Sequence, residues 1–207
     1  MTATHGFRTL PAQWLYPSAV VDFMLLYAGA KPAVRIELRE RKGAEPLYVW
    51  CRESELDYAS DADGFACVSA EPGVARQVLE LDRSWRAHEV ELGRALGYPL
   101  CCCQQVAWIG ESQIDKLARR VAHWTFTGPY ARINPAGYVN GLALVSHLPC
   151  SVDCNQSLDI AEQACQFVRA KAAEPLLSSL ASSPLVLDEP LTRVVHAAVF
   201  ESGSTNS

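Results

Sequence analysis

The feature that most constrains the fold is a change in the spacing of apolar residues about one third of the way along the chain. In the first third, Val34, Ile36 and Leu38 alternate with charged residues, as in a half-buried β-strand. Across residues 74–96, apolar side chains instead recur at three- and four-residue steps, which indicates amphipathic helix. This change of period predicts an α+β fold with a β-rich N-terminal third and a mainly helical remainder that includes a few further strands.

The same patterns, with the turn residues between them, predict an order of elements. We expect helices over 19–27, 74–96, 112–124 and 153–173, with one more helix opening after Pro99. We expect strands over 34–39, 47–52, 65–69, 142–147 and 192–200, a turn over 41–45 and a loop over 125–137. No repeat or linker divides the chain. The sequence therefore predicts one domain over 1–207, with 1–70 as a β-rich lobe and 71–200 as a helical part.

Composition and charge exclude several classes of protein. Of the 207 residues, 49% are hydrophobic and 20% are charged, which excludes a disordered or coiled-coil chain. The formal net charge of -5 leaves no general basic surface for phosphates, so we expect no nucleic-acid partner. No apolar run is long enough for a membrane span, and the N-terminal residues lack the pattern of a secretory signal. We therefore expect a cytoplasmic protein without a membrane partner.

Eight cysteines are the anomaly in this composition. In a reducing compartment they are expected to be core residues, metal ligands or redox thiols rather than a disulfide framework. Cys51, Cys67 and Cys165 are isolated on apolar faces, so we predict that they pack in the core. The other five lie in two short segments that each precede or open a predicted helix.

The first segment is Leu96-Gly97-Tyr98-Pro99-Leu100-Cys101-Cys102-Cys103. Pro99 suits a helix start, which places the three thiols in a first turn. Unpaired backbone N–H groups and the positive end of the helix dipole favour the thiolate there. The second segment runs from His147 through Cys150 to Cys154, and Cys154 is also predicted to lie in a first helical turn. The two segments are therefore predicted to direct their helix starts into one shared site.

Together the segments resemble a poorly characterised family of small prokaryotic proteins that carry LGYPxCC and, some 45 residues later, HxPCSxxC. The matching residues are Leu96, Gly97, Tyr98, Pro99, Cys101, Cys102, His147, Pro149, Cys150, Ser151 and Cys154. The resemblance covers roughly residues 92–160 and implies no particular reaction. It points to Cys101 and Cys102 as the principal pair, with Cys103 outside the pattern.

The predicted metal ligands are Cys101, Cys102, Cys150 and Cys154, with His147 either replacing one thiolate or lying beside the site. Four thiolates are the usual complement of an iron–sulfur cluster such as 4Fe–4S, and adjacent cysteines reach two irons more easily than one ion. A mononuclear zinc or iron site is the alternative. A single zinc ion requires the sulfurs of the two segments to lie within about 4 Å of one another. A cluster allows roughly 6–7 Å.

These residues predict a metal-dependent protein with a Cys/His site, an enzyme or an enzyme component that acts on a small molecule. Two alternatives belong to other classes. One is a non-enzymatic zinc-binding module that docks a partner, and it predicts loss of folding on chelation. The other is a metal-free redox protein in which Cys150 and Cys154 form a reversible disulfide.

Overall fold

Seven α-helices and one three-stranded sheet form the regular structure in the computed structural model, which describes residues 10–124, 132–135, 138 and 143–169. The strands are β1 Ala33–Glu37, β2 Asp57–Ser60 and β3 Phe65–Ser69. The helices are α1 Ser18–Tyr27, α2 Ala44–Glu53, α3 Val74–Arg83, α4 Glu89–Ala95, α5 Leu100–Ile109, α6 Glu111–Trp124 and α7 Asn155–Arg169. This architecture confirms the predicted α+β class.

The sheet has the order β1-β3-β2, and both neighbouring pairs are antiparallel. Alternate side chains of β1 and β3 enter two different cores, as the period of a strand requires. On one face, Val34, Ile36 and Val68 pack in a core with side chains of α1, α2 and α7. On the other face, Ala33 and Cys67 pack against side chains of α3. The sheet is therefore covered by helices on both faces.

One predicted strand is wrong. Residues 47–52 belong to helix α2, which begins at Ala44, so the predicted turn over 41–45 also ends earlier than expected. Leu47, Trp50 and Cys51 are buried, and their spacing of three and four residues places them on one helical face. The β-forming residues of this segment favoured a strand, and packing of that face against the sheet decided the outcome.

The boundaries of other elements also differ from prediction. Strand β2 was not predicted, because all four of its residues are half-buried and give no clear alternation. The helix predicted over 74–96 is interrupted, since α3 ends at Arg83 and one 3-10 turn, Trp85–Ala87, precedes α4. The predicted helices over 19–27 and 112–124 and the strands over 34–39 and 65–69 match α1, α6, β1 and β3 closely.

The segment before the second cysteine motif has no regular structure in its described residues. Residues 143–147 were predicted to form a strand, but they show only bends and irregular backbone. Their side chains are largely buried, and Ser146 is held by the side chain of Lys31 rather than by a neighbouring strand. The predicted strand over 192–200 lies outside the described residues, as do most of the predicted loop over 125–137 and residues 170–173.

A sharp turn joins α4 to α5 and fixes where α5 begins. Gly97 has φ +80°, which L side chains rarely adopt. A Cβ there would also lie 2.6 Å from Cδ of Pro32, so the turn packs directly on the residues before β1. In the part of the chain that the structure describes, no helix is long and apolar enough to span a membrane.

Candidate metal centre

The first predicted segment forms the start of α5. Pro99 precedes the helix with an extended backbone, and its carbonyl accepts hydrogen bonds from the N–H groups of Cys102 and Cys103. Cys101, Cys102 and Cys103 therefore lie in the first turn, as predicted. Their side chains face different ways, because successive residues in a helix are about 100° apart.

The second predicted segment is an irregular loop that leads into α7. The helix begins at Asn155, one residue after Cys154, and the Cys154 carbonyl accepts the N–H of Leu158. Cys154 is thus the residue preceding the helix and not a member of its first turn. The hydroxyl and the backbone N–H of Ser157 lower the pKa of the Cys154 thiol. Groups at the start of a helix favour the thiolate in this way.

The two segments meet. The sulfur of Cys101 lies 4.0 Å from that of Cys102 and 3.8 Å from that of Cys154, and the Cys102 and Cys154 sulfurs are 3.7 Å apart. Cys150 completes the group, in which all four sulfurs lie within 4.8 Å of one another. The prediction that the two segments converge is confirmed. The group can hold a metal ion, and no second group of this kind occurs among the described residues.

One backbone N–H group and one hydroxyl lie within hydrogen-bond distance of the Cys102 sulfur. The N–H of Cys150 donates to the sulfur of Cys102 over 3.3 Å, and the hydroxyl of Ser157 lies 3.5 Å from the same sulfur. Hydrogen bonds of this kind stabilise a thiolate and orient it. The site thus combines four sulfurs with donors that favour negative charge.

The sequence predicted that thiols at the two helix starts ionise easily, but their pKa values shift in different directions. Burial raises the pKa of Cys102, and burial together with neighbouring thiols raises the pKa of Cys150 to about 11. Burial acts to raise the pKa of Cys154, but the groups of Ser157 and the thiols of Cys102 and Cys101 together outweigh it and leave that pKa below its ordinary value. Four thiolates so close together repel one another. A bound cation removes this repulsion and deprotonates its ligands.

His147 does not join the four sulfurs. It is 7% exposed, and its Nε2 shares a hydrogen bond of 2.8 Å with the hydroxyl of Ser157. Burial, with the charge of Lys31, lowers the pKa of His147 to about 3, so the imidazole is neutral. Of its two predicted roles, replacing a thiolate or lying beside the site, the geometry fits the second, because His147 reaches Cys102 only through the Ser157 hydroxyl.

The remaining cysteines lie elsewhere. Cys51, Cys67 and Cys165 are fully buried in the two apolar cores, where packing was predicted. Cys103 faces α4, where a Cβ on Gly93 would lie 2.6 Å from the Cys103 sulfur. Cys103 is therefore a packing residue between α4 and α5 and lies outside the metal group.

Sequence reasoning missed the polar residues that support the site. Ser157 is fully buried between His147 and two of the cysteines. Lys31, from the turn after α1, donates to Asp22 over 2.7 Å and to Ser146 over 2.8 Å. Ser157 gives one sequence signal, since it lies three residues after Cys154, where a residue bonded to a helix cap is expected. Lys31 gives none, because 115 residues separate it from Ser146.

No family model matches this chain, and no curated protein or solved structure matches it at a significant level. The resemblance of the two motifs to a prokaryotic family therefore stays a prediction. What the geometry establishes is a group of four cysteines, supported by Ser157 and His147, that can hold a metal.

Proposed function

We propose that this protein is a metal-binding protein whose centre is held by Cys101, Cys102, Cys150 and Cys154. The observation that carries the proposal is the approach of all four sulfurs to within 4.8 Å of one another, although they come from two segments far apart in the sequence. Core thiols that only fill space have no reason to converge in this way. Thiolates that bind one cation must converge, because each sulfur lies at bonding distance from the same ion.

The spacing of the sulfurs supports a single ion more than a cluster. Four sulfurs at about 2.3 Å from one ion in a tetrahedron lie about 3.8 Å from each other. The three separations that involve Cys101, Cys102 and Cys154 are 3.7–4.0 Å. The start of α5 brings even the adjacent pair to this distance, which removes the objection to adjacent cysteines on one ion. We therefore place zinc or mononuclear iron ahead of the iron–sulfur cluster that the sequence favoured.

Four thiolates close the coordination sphere of a tetrahedral ion, which supports a role in structure or electron transfer rather than in direct binding of substrate. A cavity bounded by Cys102 and His147 lies against the centre. This position supports the proposal that the protein is an enzyme, or a component of one, that acts on a small molecule beside the metal. A zinc module that only docks a partner does not need such a cavity.

Anaerobic purification followed by metal and acid-labile sulfide analysis tests the proposal. We expect about one zinc or iron per chain without sulfide. Several irons with matching sulfide would establish the cluster instead. Protein without metal, together with a mass decrease on mild oxidation that Cys150→Ser abolishes, would overturn the proposal in favour of thiol redox chemistry.

Two variants make this test specific. Cys102→Ser removes a sulfur at the centre of the group and is expected to lose most of the metal. Cys103→Ala removes the neighbouring thiol, which faces α4, and is expected to keep it. Equal loss of metal in both variants would show that the effect comes from disturbance of α5 and not from ligation.

A further inference from the structure

A cavity of about 300 Å³ lies between α4, α5, α6 and the segment that leads to the second cysteine motif. This volume suits a molecule of roughly ten to fifteen non-hydrogen atoms. Its apolar wall includes Leu92, Leu96, Val106, Ile114 and Leu148. An occupant of this cavity is therefore mostly apolar.

One end of the cavity differs from the rest because Ser146 and His147 lie there, beside the ring of Tyr98. The centroids of the Tyr98 and His147 rings are 5.3 Å apart, and the ring planes are inclined by 35°. The Lys31 ammonium group lies over the Tyr98 ring, 4.8 Å from its centroid. The parts of the two rings that line the cavity offer aromatic surface to a flat molecule.

Ser146 supplies a hydrogen-bond donor at this end. Its oxygen accepts a hydrogen bond from the ammonium group of Lys31 over 2.8 Å, and Lys31 is itself paired with Asp22. Because the Ser146 oxygen is the acceptor in its contact with Lys31, the hydroxyl hydrogen is not used there. It can donate to a group inside the cavity. The ammonium also polarises this hydroxyl and makes it a better donor.

Charge around the cavity disfavours an anionic occupant. The positive charge of Lys31 is offset by its buried partner Asp22, and Lys31 is not among the lining residues. Glu89 contributes the one carboxylate found on the described walls. A neutral acceptor such as a carbonyl oxygen therefore fits better than a carboxylate.

We propose that this cavity binds a flat, mostly apolar and uncharged small molecule that carries one hydrogen-bond acceptor, with the acceptor at Ser146 and the ring against Tyr98 and His147. The proposal names the ligand class for the small molecule of the proposed function and to that extent rests on it. Cys102 belongs to both the cavity wall and the sulfur group. Binding is therefore expected to perturb the metal centre.

Three probes of equal size test this ligand class. Acetophenone, cumene and benzoate share a phenyl ring and the same number of non-hydrogen atoms, but they carry a neutral acceptor, no acceptor and a charged acceptor respectively. Binding to the full chain as purified is followed by amide chemical shifts in NMR titrations. We expect acetophenone to bind with a Kd of about 1 mM or below and to shift residues around 92–106 and 146–148. We expect binding about fivefold weaker for benzoate, whose charge must be desolvated, while cumene measures the apolar contribution without a hydrogen bond.

Variants locate the binding. Val106→Phe fills the cavity and is expected to weaken acetophenone at least about tenfold, while Trp108→Phe, at an 82% exposed position of the same helix, leaves it unchanged. Ser146→Ala is expected to weaken acetophenone about fivefold and to leave cumene unchanged, so that both probes still bind. It therefore gives a second test if Val106→Phe does not fold.

Three outcomes overturn the proposal: no binding up to the solubility limit, binding insensitive to Val106→Phe, or tighter binding of benzoate. Metal content is measured on the same samples, so that the two proposals fail separately. Acetophenone binding by protein without metal would leave the cavity site standing and the metal centre refuted. Metal without binding would do the reverse.

Discussion

The cysteines beside the sheet and the cysteines at the starts of α5 and α7 differ in what surrounds each sulfur. Cys51 and Cys67 are 0% exposed within apolar cores, and burial raises the pKa of each to about 12. Cys102 and Cys154 are also buried, but each has other sulfurs within 4 Å and hydrogen-bond donors directed at it.

The difference shows that burial alone does not determine what a cysteine does. A lone buried thiol stays protonated and fills space like a small apolar residue. A buried thiol that lies among other thiols and near N–H donors ionises once a bound cation neutralises the negative charge of the group. Only the α5–α7 region is therefore expected to depend on metal.

The largest effect expected is a regional response to metal removal. A structural zinc ion contributes about 10 kcal/mol or more to the folding of small domains. When a chelator removes the metal, loss of even part of this stabilisation lowers the free energy of local opening. We expect amide hydrogen exchange in residues 100–109 and 150–169 to accelerate at least about a thousandfold. Strands β1 and β3 are expected to keep their exchange rates. Hydrogen-exchange mass spectrometry with and without chelator measures both regions in one sample.

The control is the Cys101→Ser protein, which is expected to exchange rapidly in the α5–α7 region with or without chelator. Equal acceleration in both regions would contradict the comparison, because the sheet would then depend on the metal as much as the cysteine group does.

The second prediction concerns the contact that joins the two regions. Lys31 and Asp22 form an ion pair with side chains only 2% exposed, and Lys31 also holds Ser146 next to the site. Lys31→Met leaves Asp22 buried, with the Tyr138 hydroxyl as its remaining side-chain donor among the described residues. We expect the free energy of unfolding to fall by about 3–5 kcal/mol. Urea denaturation measures this change.

Lys42→Met is the matched control, because Lys42 pairs with Glu40 at 2.6 Å but both side chains are exposed. It is expected to cost at most about 1 kcal/mol. If the two variants lost the same stability, burial of the Lys31 pair would not matter. The double variant Asp22→Asn/Lys31→Met is expected to recover part of the loss.

The parts of the fold that sequence predicted are those in which one local signal agreed with the packing. In β1 the alternation of Val34 and Ile36 with charged residues matches the face that each side chain presents. In α2 two signals conflicted. Val49 and Trp50 favour a strand, while Leu47, Trp50 and Cys51 have helical spacing, and the core that decides between them lies outside the segment.

For the site, the sequence was sufficient where the argument rested on helix starts. Pro99 fixed the beginning of α5. Two thiol-rich segments, each next to a helix start, predicted that both contribute to one site. The sequence was insufficient for groups that act through tertiary contacts. Lys31 reaches Ser146 across 115 positions, and nothing local marks either residue. The choice between one metal ion and a cluster depends on the distances between the four sulfurs, which the sequence does not give.

The third prediction tests the hydrogen bonds around the sulfurs. Ser157 links His147 to Cys102, with separations of 2.8 Å and 3.5 Å. Loss of a group that orients metal ligands commonly weakens metal affinity about 10–100-fold. We expect Ser157→Ala to weaken metal binding to this extent without changing the metal stoichiometry. Competition with a chromophoric chelator measures the affinity.

Ser151→Ala is the control, since Ser151 lies in the same loop and contributes its backbone carbonyl to Cys154. Its metal affinity is expected to match that of the unmodified protein. A similar loss in both variants would indicate that the loop, and not the Ser157 hydroxyl, sets the affinity.

The smallest effect expected concerns a thiol of the sheet region at alkaline pH. The folded-state pKa of Cys67 is raised from 9.0 to about 12 by burial. Between these values the unfolded chain loses a proton that the folded chain keeps. The stability that this thiol contributes is therefore complete below pH 9 and falls as the pH rises toward 12. One unit above pH 9 the loss is about 1.4 kcal/mol.

Cys67→Ala lacks both this titration and the packing of the sulfur. We expect the variant to be about 1 kcal/mol less stable than the unmodified protein at pH 8. Because only the unmodified protein is destabilised by ionisation at position 67, this deficit should vanish near pH 10. Urea denaturation under reducing conditions at both pH values measures it. Val68→Ala, at a fully buried position beside it on β3, should show a deficit independent of pH. A constant deficit for Cys67→Ala would mean that this thiol does not have the inert, protonated character that separates the sheet cysteines from those of the metal group.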